Sequence, residues 1–371
     1  MKSGNISAGQ VIILLFVSRC FNIFNFVPVF AQQSESGAIL LGNILAVGIQ
    51  LLIMIPSLIL FGRFENQNVI TVAYNKWRPL GWIFAILYFT IILLQAAGSL
   101  IGFEYFMTNA VYTNASILAI VLSMSVVSFW CARNGLEGIA RSSIIFFVFL
   151  LASTLFITAA SIEKIDLLNI HPILNDPVGS VIQVALTNTS RNPELFLLPL
   201  IYPKIKGSIK KCSIWYILAA FIMLEGLDFL LLSILGDYGF TQTFPYYTLA
   251  SIADTALLQR LDSLHMMVWV FTAFIHTALL IVIGNYCIRM VLPQKAHKFT
   301  LPVMFLVCTT IATVFGYHMD ILYRTNTSSS VVILFLVAVP PLLMLLITKR
   351  KKKEAQHAKS QESFTVVSDA E

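Results

Sequence analysis

The chain alternates long, nearly charge-free apolar runs with short polar connections, and ten of the runs are near the roughly 20 residues that a membrane-spanning helix needs. They cover approximately 8–30, 37–61, 79–106, 115–131, 142–162, 179–203, 212–235, 262–291, 301–317 and 330–348. Leu40–Phe61, Ile144–Ile162 and Val331–Ile347 contain no charged residue, whereas the first and sixth runs carry Arg19 and Arg191. The loop over about 236–261 places Leu249, Ile252, Ala256 and Leu257 at helical spacing after Phe244, Tyr246 and Tyr247, predicting an interfacial helix with an aromatic anchor.

Lysine and arginine test the count. With ten spans both termini share a side, and 19 of the 24 fall there, against Lys164, Arg260 and Arg324 opposite and Arg19 and Arg191 within spans. A missed or invented span in mid-chain would destroy that asymmetry, so the positive-inside rule predicts ten helices with both ends cytoplasmic. Composition agrees: of 371 residues, 58% are hydrophobic and 11% charged, and mean hydropathy is +0.83. That excludes secreted and cytosolic enzymes and nucleic-acid binders, and it makes the net charge of +6 a matter of topology. Arg19 interrupts the stretch before Val29-Phe30-Ala31, a pattern wrong for a cleaved signal, so the first helix is expected to be retained. One membrane domain over 1–348 is expected, in halves of about 8–162 and 179–348, with a basic then polar tail over 349–371 that anchors topology and is disordered.

No chemistry-bearing motif stands out. The five cysteines form no paired framework, and His265 and His276 lie three turns apart. There is no P-loop, dinucleotide glycine motif or Ser-His-Asp pattern, so neither a catalytic residue, a metal nor a cofactor is expected.

Ionisable residues inside a membrane are costly and default to functional sites. Glu104, Asp262 and His265 sit near span ends, where snorkelling accounts for them, and Asp228 and Glu225 share the seventh span. Arg19, Arg191, Glu194 and Glu225 lie deeper and need partners, either one another or a ligand. The two weak spans match. Arg19-Cys-Phe-Asn22-Ile-Phe-Asn25-Phe-Val-Pro28 opens one half; Thr187-Asn188-Thr-Ser190-Arg191-Asn192-Pro193-Glu194, then Pro199, opens the other. Polar, proline-interrupted helices at corresponding positions point to a 5+5 inverted repeat whose broken first and sixth helices surround a midplane site. Broken ends expose free N–H groups for a carboxylate and free C=O groups for a cation, as an amino acid requires.

Further residues carry a resemblance. Ile6-Ser7-x-x-Gln10 precedes the first span. Arg133-Asn134-Gly135-Leu136-Glu137-Gly138-Ile139-Ala140-Arg141 makes a basic turn, and Asp166…Pro172 and Arg260-Leu261-Asp262 leading to Trp269 follow. Over about residues 5–348 the chain resembles the spore germination protein family, the integral-membrane B subunit of nutrient-germinant receptors, within the amino acid–polyamine–organocation transporter superfamily. The resemblance implies location in the spore inner membrane, assembly with A and C subunits, contact with membrane lipid, and a small nutrient such as an amino acid bound between the first and sixth helices. It transfers the pocket to Asn22, Asn25, Ser190, Asn192 and Glu194, and the paired arginines add Arg19 and Arg191. The family's glycines are missing here: none lies between Arg19 and Pro28, and Pro193-Glu194 replaces a Gly-Glu. Arg19 is therefore expected to take over the carboxylate by a bidentate contact. The expected function is germinant sensing; a permease of the same fold and a scaffold with a dead pocket are the other readings.

Overall fold

The computed structural model describes residues 6–24, 36–64, 67–112, 115–170, 177–253, 261–316 and 319–348, with backbone alone at Ser36 and 319–331. The first helix, α1 (Ala8–Phe24), starts at a capping box: the Ser7 hydroxyl accepts from the Gln10 backbone at 3.3 Å, and the Gln10 side chain accepts from the Ser7 backbone at 3.1 Å. The Ser-x-x-Gln signature is thus a helix start. Just before it, β1 (Ile6–Ser7) pairs in parallel with β2 (Ile205–Lys206), tying the start of the chain to the loop after the sixth span.

Helix α2 (Ser36–Arg63) leads through the short α3 (Val69–Lys76) to α4 (Arg78–Phe106), which ends in a π-helical turn over Met107–Val111. Next come α5 (Ile117–Arg133) and α6 (Gly135–Ser161). The sequence pattern leaves 132–141 as a turn, but the helix resumes at once, because Gly135 at φ 76° reverses the chain in about one residue.

The sixth span is two helices, α7 (Val178–Ser190) and α8 (Glu194–Ile201). Then follow α9 (Ile209–Leu235), the short α10 (Asp237–Thr241) and α11 (Pro245–Ile252), and the last three spans α12 (Asp262–Arg289), α13 (His297–Gly316) and α14 (Met319–Ile347). Among the described residues six helices are long and apolar enough to cross a membrane. Three shorter apolar helices and the divided sixth bring the total to ten.

Helix α12 is the most enclosed span, packed against α1, α4, α5 and α6. Outward faces stay apolar, with Trp130, Ile145, Val148, Leu155 and Leu306 exposed, as lipid-facing helices require. The ends sort into two faces. On one, Arg63 donates to the carbonyl of Leu345 at 3.1 Å, Asn68 donates to that of Leu200 at 2.9 Å, and β1 meets β2. The residue-6 and residue-348 ends of the described chain therefore share the face that carries the basic loops.

Helix α11 departs from the interfacial expectation. Phe244, Tyr246 and Leu249 are buried against the bundle, where Phe244 meets Phe106 edge-on at 4.9 Å and Tyr246 meets Phe24 at 6.2 Å. The aromatic residues form the underside of a cap, because an inward phenol has a buried carboxylate to bond there. Ala256 and Leu257 lie outside the described residues, as does the 349–371 tail.

Candidate functional site

The break in the sixth span follows from its sequence. Ser190 donates to the Thr187 carbonyl and Thr189 to that of Ala185, both at 2.8 Å, so the polar run spends its hydroxyls on its own last turn. Pro193 supplies no N–H, and the chain passes through Arg191 and Asn192 before helix restarts at Glu194.

Across that break the first and sixth spans exchange guanidinium groups. Arg19 on α1 donates to the carbonyl of Arg191, and Arg191 donates to the carbonyl of Asn22 at 3.4 Å. These carbonyls lie at the C-terminal ends of α7 and α1, where helical partners run out and the helix dipole is negative. Glu194, fully buried, takes different partners. Its Oε1 accepts from Ser18 at 2.7 Å and lies 3.2 Å from His276 Nδ1 on α12, which is itself 2.8 Å from the Ser18 hydroxyl. Serine and carboxylate meet the same ring nitrogen, so this is not the relay of a hydrolase, in which the imidazole joins them through opposite nitrogens. Glu194 Oε2 and His276 Nε2 are buried without a hydrogen-bond partner among the described residues.

A second network crosses the same level. Asn188 on α7 donates to Asn43 on α2, and Asn43 donates to Asp228 on α9 at 2.8 Å. Tyr246 from the α11 cap donates to the other Asp228 oxygen. Asn192 donates to Gln50 at 3.2 Å and accepts from Tyr216 at 2.5 Å. Arg19, Asn22, Asn188, Arg191 and Asp228, with Ile23, Ile39 and Leu224, enclose a cavity of about 10 Å3, room for about one water molecule.

Of the residues singled out from sequence, the structure brings Arg19, Asn22 and Arg191 to this cavity and adds Asp228 to them. Asn192 and Glu194 sit behind it in side-chain networks, and Ser190 bonds its own helix. Asn25 lies outside the described residues. Glu104, Asp262 and His265 are buried rather than snorkelling: Thr108 donates to Glu104 at 3.2 Å, Tyr247 donates to Asp262 at 3.2 Å, and Phe24 packs edge-on to His265. Tyr247 and Phe24 reach Asp262 and His265 from other helices, whereas Thr108 bonds Glu104 from its own helix. Glu225 is half-buried one turn from Asp228. The sequence does not single out Asn43, Gln50 or Tyr216, and it presents Tyr246 only as an interfacial anchor. Asn43 and Gln50, seven residues apart in a charge-free span and hence on one face, carried a readable signal.

An all-α bundle of ten spans, divided at the sixth and polar where the first and sixth meet, has the 5+5 inverted-repeat fold that transporters use. Its fold is similar to that of a Na+-coupled sialic acid symporter solved in a substrate-bound outward-open state, with a TM-score of 0.62 at 10% identity over 91% of this chain and 79% of that one. A family model described as "Spore germination protein" matches residues 5–321, and the chain belongs to the spore germination protein family. Among curated relatives, spore germination protein KB of Bacillus subtilis (strain 168) is 25% identical over 254 residues, 65% of this chain and 68% of that protein.

Proposed function

We propose that the chain is the integral-membrane subunit of a spore nutrient-germinant receptor, which binds a small germinant, an amino acid, in the midplane cavity and signals to A- and C-type partner subunits. The observation that carries this is the wall of the cavity: two guanidinium groups, Arg19 and Arg191, face one carboxylate, Asp228. That set complements a carboxylate and an ammonium held a few ångströms apart. Asn22 and Asn188 add hydrogen-bonding capacity around them.

The space itself is too small for an amino acid. Binding therefore requires α1 and the α7–α8 break to part, and a ligand that prefers the parted state shifts the population toward it. Partner subunits seated on the bundle would read that shift. In this reading the basic face is cytoplasmic and the membrane is the inner membrane of the spore.

The test is nutrient-triggered release of dipicolinic acid from spores with the gene intact, deleted, or carrying Arg19→Ala, scanned over single amino acids and sugars. Loss of response to one amino acid in both altered strains supports the reading. An unchanged response to every nutrient in the deleted strain removes it. A second reading, a permease that moves an amino acid or a cation, is favoured by the likeness of fold to a symporter. Uptake of labelled amino acid into proteoliposomes of the purified chain, absent in Arg19→Ala, would support that reading instead.

A further inference from the structure

Two chemistries share the wall of the midplane cavity. One is polar, Arg19, Asn22, Asn188, Arg191 and Asp228, and it suits the two charged groups that every amino acid carries. The other is apolar: Ile23 on α1, Ile39 on α2 and Leu224 on α9. Three helices give one hydrocarbon side chain each, so the apolar part is assembled by the fold and not by one stretch of sequence. Ile23 and Ile39 are buried, and Leu224 is partly buried.

The register of α9 relates the apolar part to the polar part. Leu224 and Asp228 are four residues apart in one helix, hence on one face, and such neighbours hold their Cβ atoms about 5–6 Å apart. Asp228 takes the ammonium of the ligand, and Arg19 and Arg191 take its carboxylate. What is left, the side chain on the carbon between them, meets Leu224 one turn from Asp228, with Ile23 and Ile39 completing the wall. A hydroxyl, an amide or a charge turned toward these three loses its water and finds no partner in their side chains. A hydrocarbon gains from the same burial.

The resemblance to the family points to the first and sixth spans, whereas Ile39 and Leu224 belong to the second and seventh. We propose, on the amino-acid reading of the cavity, that Ile23, Ile39 and Leu224 form its side-chain subsite, that the nutrient has an apolar side chain, and that Leu224 sets the size limit of that side chain.

The test uses spores with the gene unaltered, deleted, or carrying Leu224→Val or Leu224→Ala. They are exposed to glycine, alanine, valine, leucine and phenylalanine, with aspartate and lysine as charged controls. The half-maximal concentration for release of dipicolinic acid is read for each. In the unaltered strain at least one apolar amino acid is expected to act, and neither charged one. Trimming Leu224 should lower the concentration needed of the next larger apolar amino acid relative to the smaller one, roughly ten- to two-hundred-fold for one methylene of added room. The ratio is the measure, because a variant that folds poorly weakens every response alike and leaves the ratios unchanged. Unchanged ratios in both variants overturn the proposal, as does a gene-dependent response confined to the charged amino acids. If deletion of the gene alters no amino-acid response, the amino-acid reading itself fails and the subsite falls with it. If Leu224→Ala does not reach the membrane, Leu224→Val, one methylene smaller than leucine, decides alone.

Discussion

Arg19 donates to the carbonyl of Arg191, and Arg191 reaches back to the carbonyl of Asn22, so each broken helix is capped by the arginine of the other. Burying a guanidinium is costly, and so is burying the unpaired C-terminal carbonyls of a helix. Bringing the two together offsets part of both costs, while Glu194 bonds Ser18 and His276, and Asp228 bonds Asn43 and Tyr246. The same contact couples the two spans: the cavity between them cannot widen unless the exchange of guanidinium groups is broken or rebuilt on a ligand.

Arg19→Ala should therefore do two things at once. It orphans the Arg191 carbonyl, at a cost of about 1–3 kcal/mol, and it removes a cation from the cavity wall. The expected result is a lower unfolding midpoint in detergent together with a lost nutrient response, the protein still reaching the membrane. Arg19→Lys keeps the charge but offers a single point donor rather than a fork, so it should restore stability further than response. Equal rescue of both by lysine would show that the planar geometry is immaterial.

The Glu194 carboxylate meets Ser18 and His276 in a fully buried place, so the form of the replacement decides the outcome. In Glu194→Gln an amide oxygen still accepts from Ser18, and the fold should hold with a small loss. Glu194→Ala leaves Ser18 and His276 only each other to bond, beside a buried void, and should cost roughly 1–3 kcal/mol more. Thermal unfolding of the two variants side by side is the check. Indistinguishable midpoints would mean that the carboxylate does not tie α1, α8 and α12 together.

Much of this architecture could be read before the fold was known, because the membrane makes harsh demands. A span needs a long charge-free run, basic residues collect on one side, and a proline among asparagines and an arginine must end a helix; the division at Arg191–Pro193 follows from these. What stayed hidden depended on which side chains meet across the bundle. Nothing in the sequence near Glu194 points to His276, 82 residues further on. Asp228 was visible as a charge in a span, but its place beside Arg19 and Arg191 comes from the packing of α9. Tyr246 was misassigned for a different reason: an amphipathic aromatic helix suits a lipid headgroup region and the lid of a polar core equally, and the partner, Asp228, decides between them.

The lid gives a prediction of its own. Tyr246→Phe keeps the ring against Phe24 and removes the donor to Asp228. The carboxylate then loses one of two donors, a loss of about 1–3 kcal/mol, and α11 keeps its bond from Tyr247 to Asp262 but loses the one to Asp228. Backbone hydrogen exchange over Pro245–Ile252 should accelerate while that of α12 stays slow. Unchanged protection of the segment would show that the packing of Phe244 and Leu249 and the Tyr247–Asp262 bond hold the cap without Tyr246.

The most direct probe of how closely the second and sixth spans must approach is Gly42. A Cβ built there falls 2.5 Å from Val184 Cγ1 and 2.6 Å from its Cβ, far inside van der Waals contact. Gly42→Ala must push α2 away from α7, and the neighbouring Asn43–Asn188 hydrogen bond, on which the orientation of Asp228 depends, stretches with it. The expected cost is about 1–3 kcal/mol, with the nutrient response weakened because the polar wall of the cavity is displaced. Val184→Ala removes the Cγ1 that the new Cβ meets at 2.5 Å and keeps the Cβ at 2.6 Å, so it relieves part of the clash. The double variant should therefore be more stable than the two single changes predict by simple addition, by at least about 0.5 kcal/mol in a double-mutant cycle of unfolding in detergent. Strict additivity would show that the two helices do not touch at this point, and the link from α2 through Asn43 to the midplane cavity would fall with it.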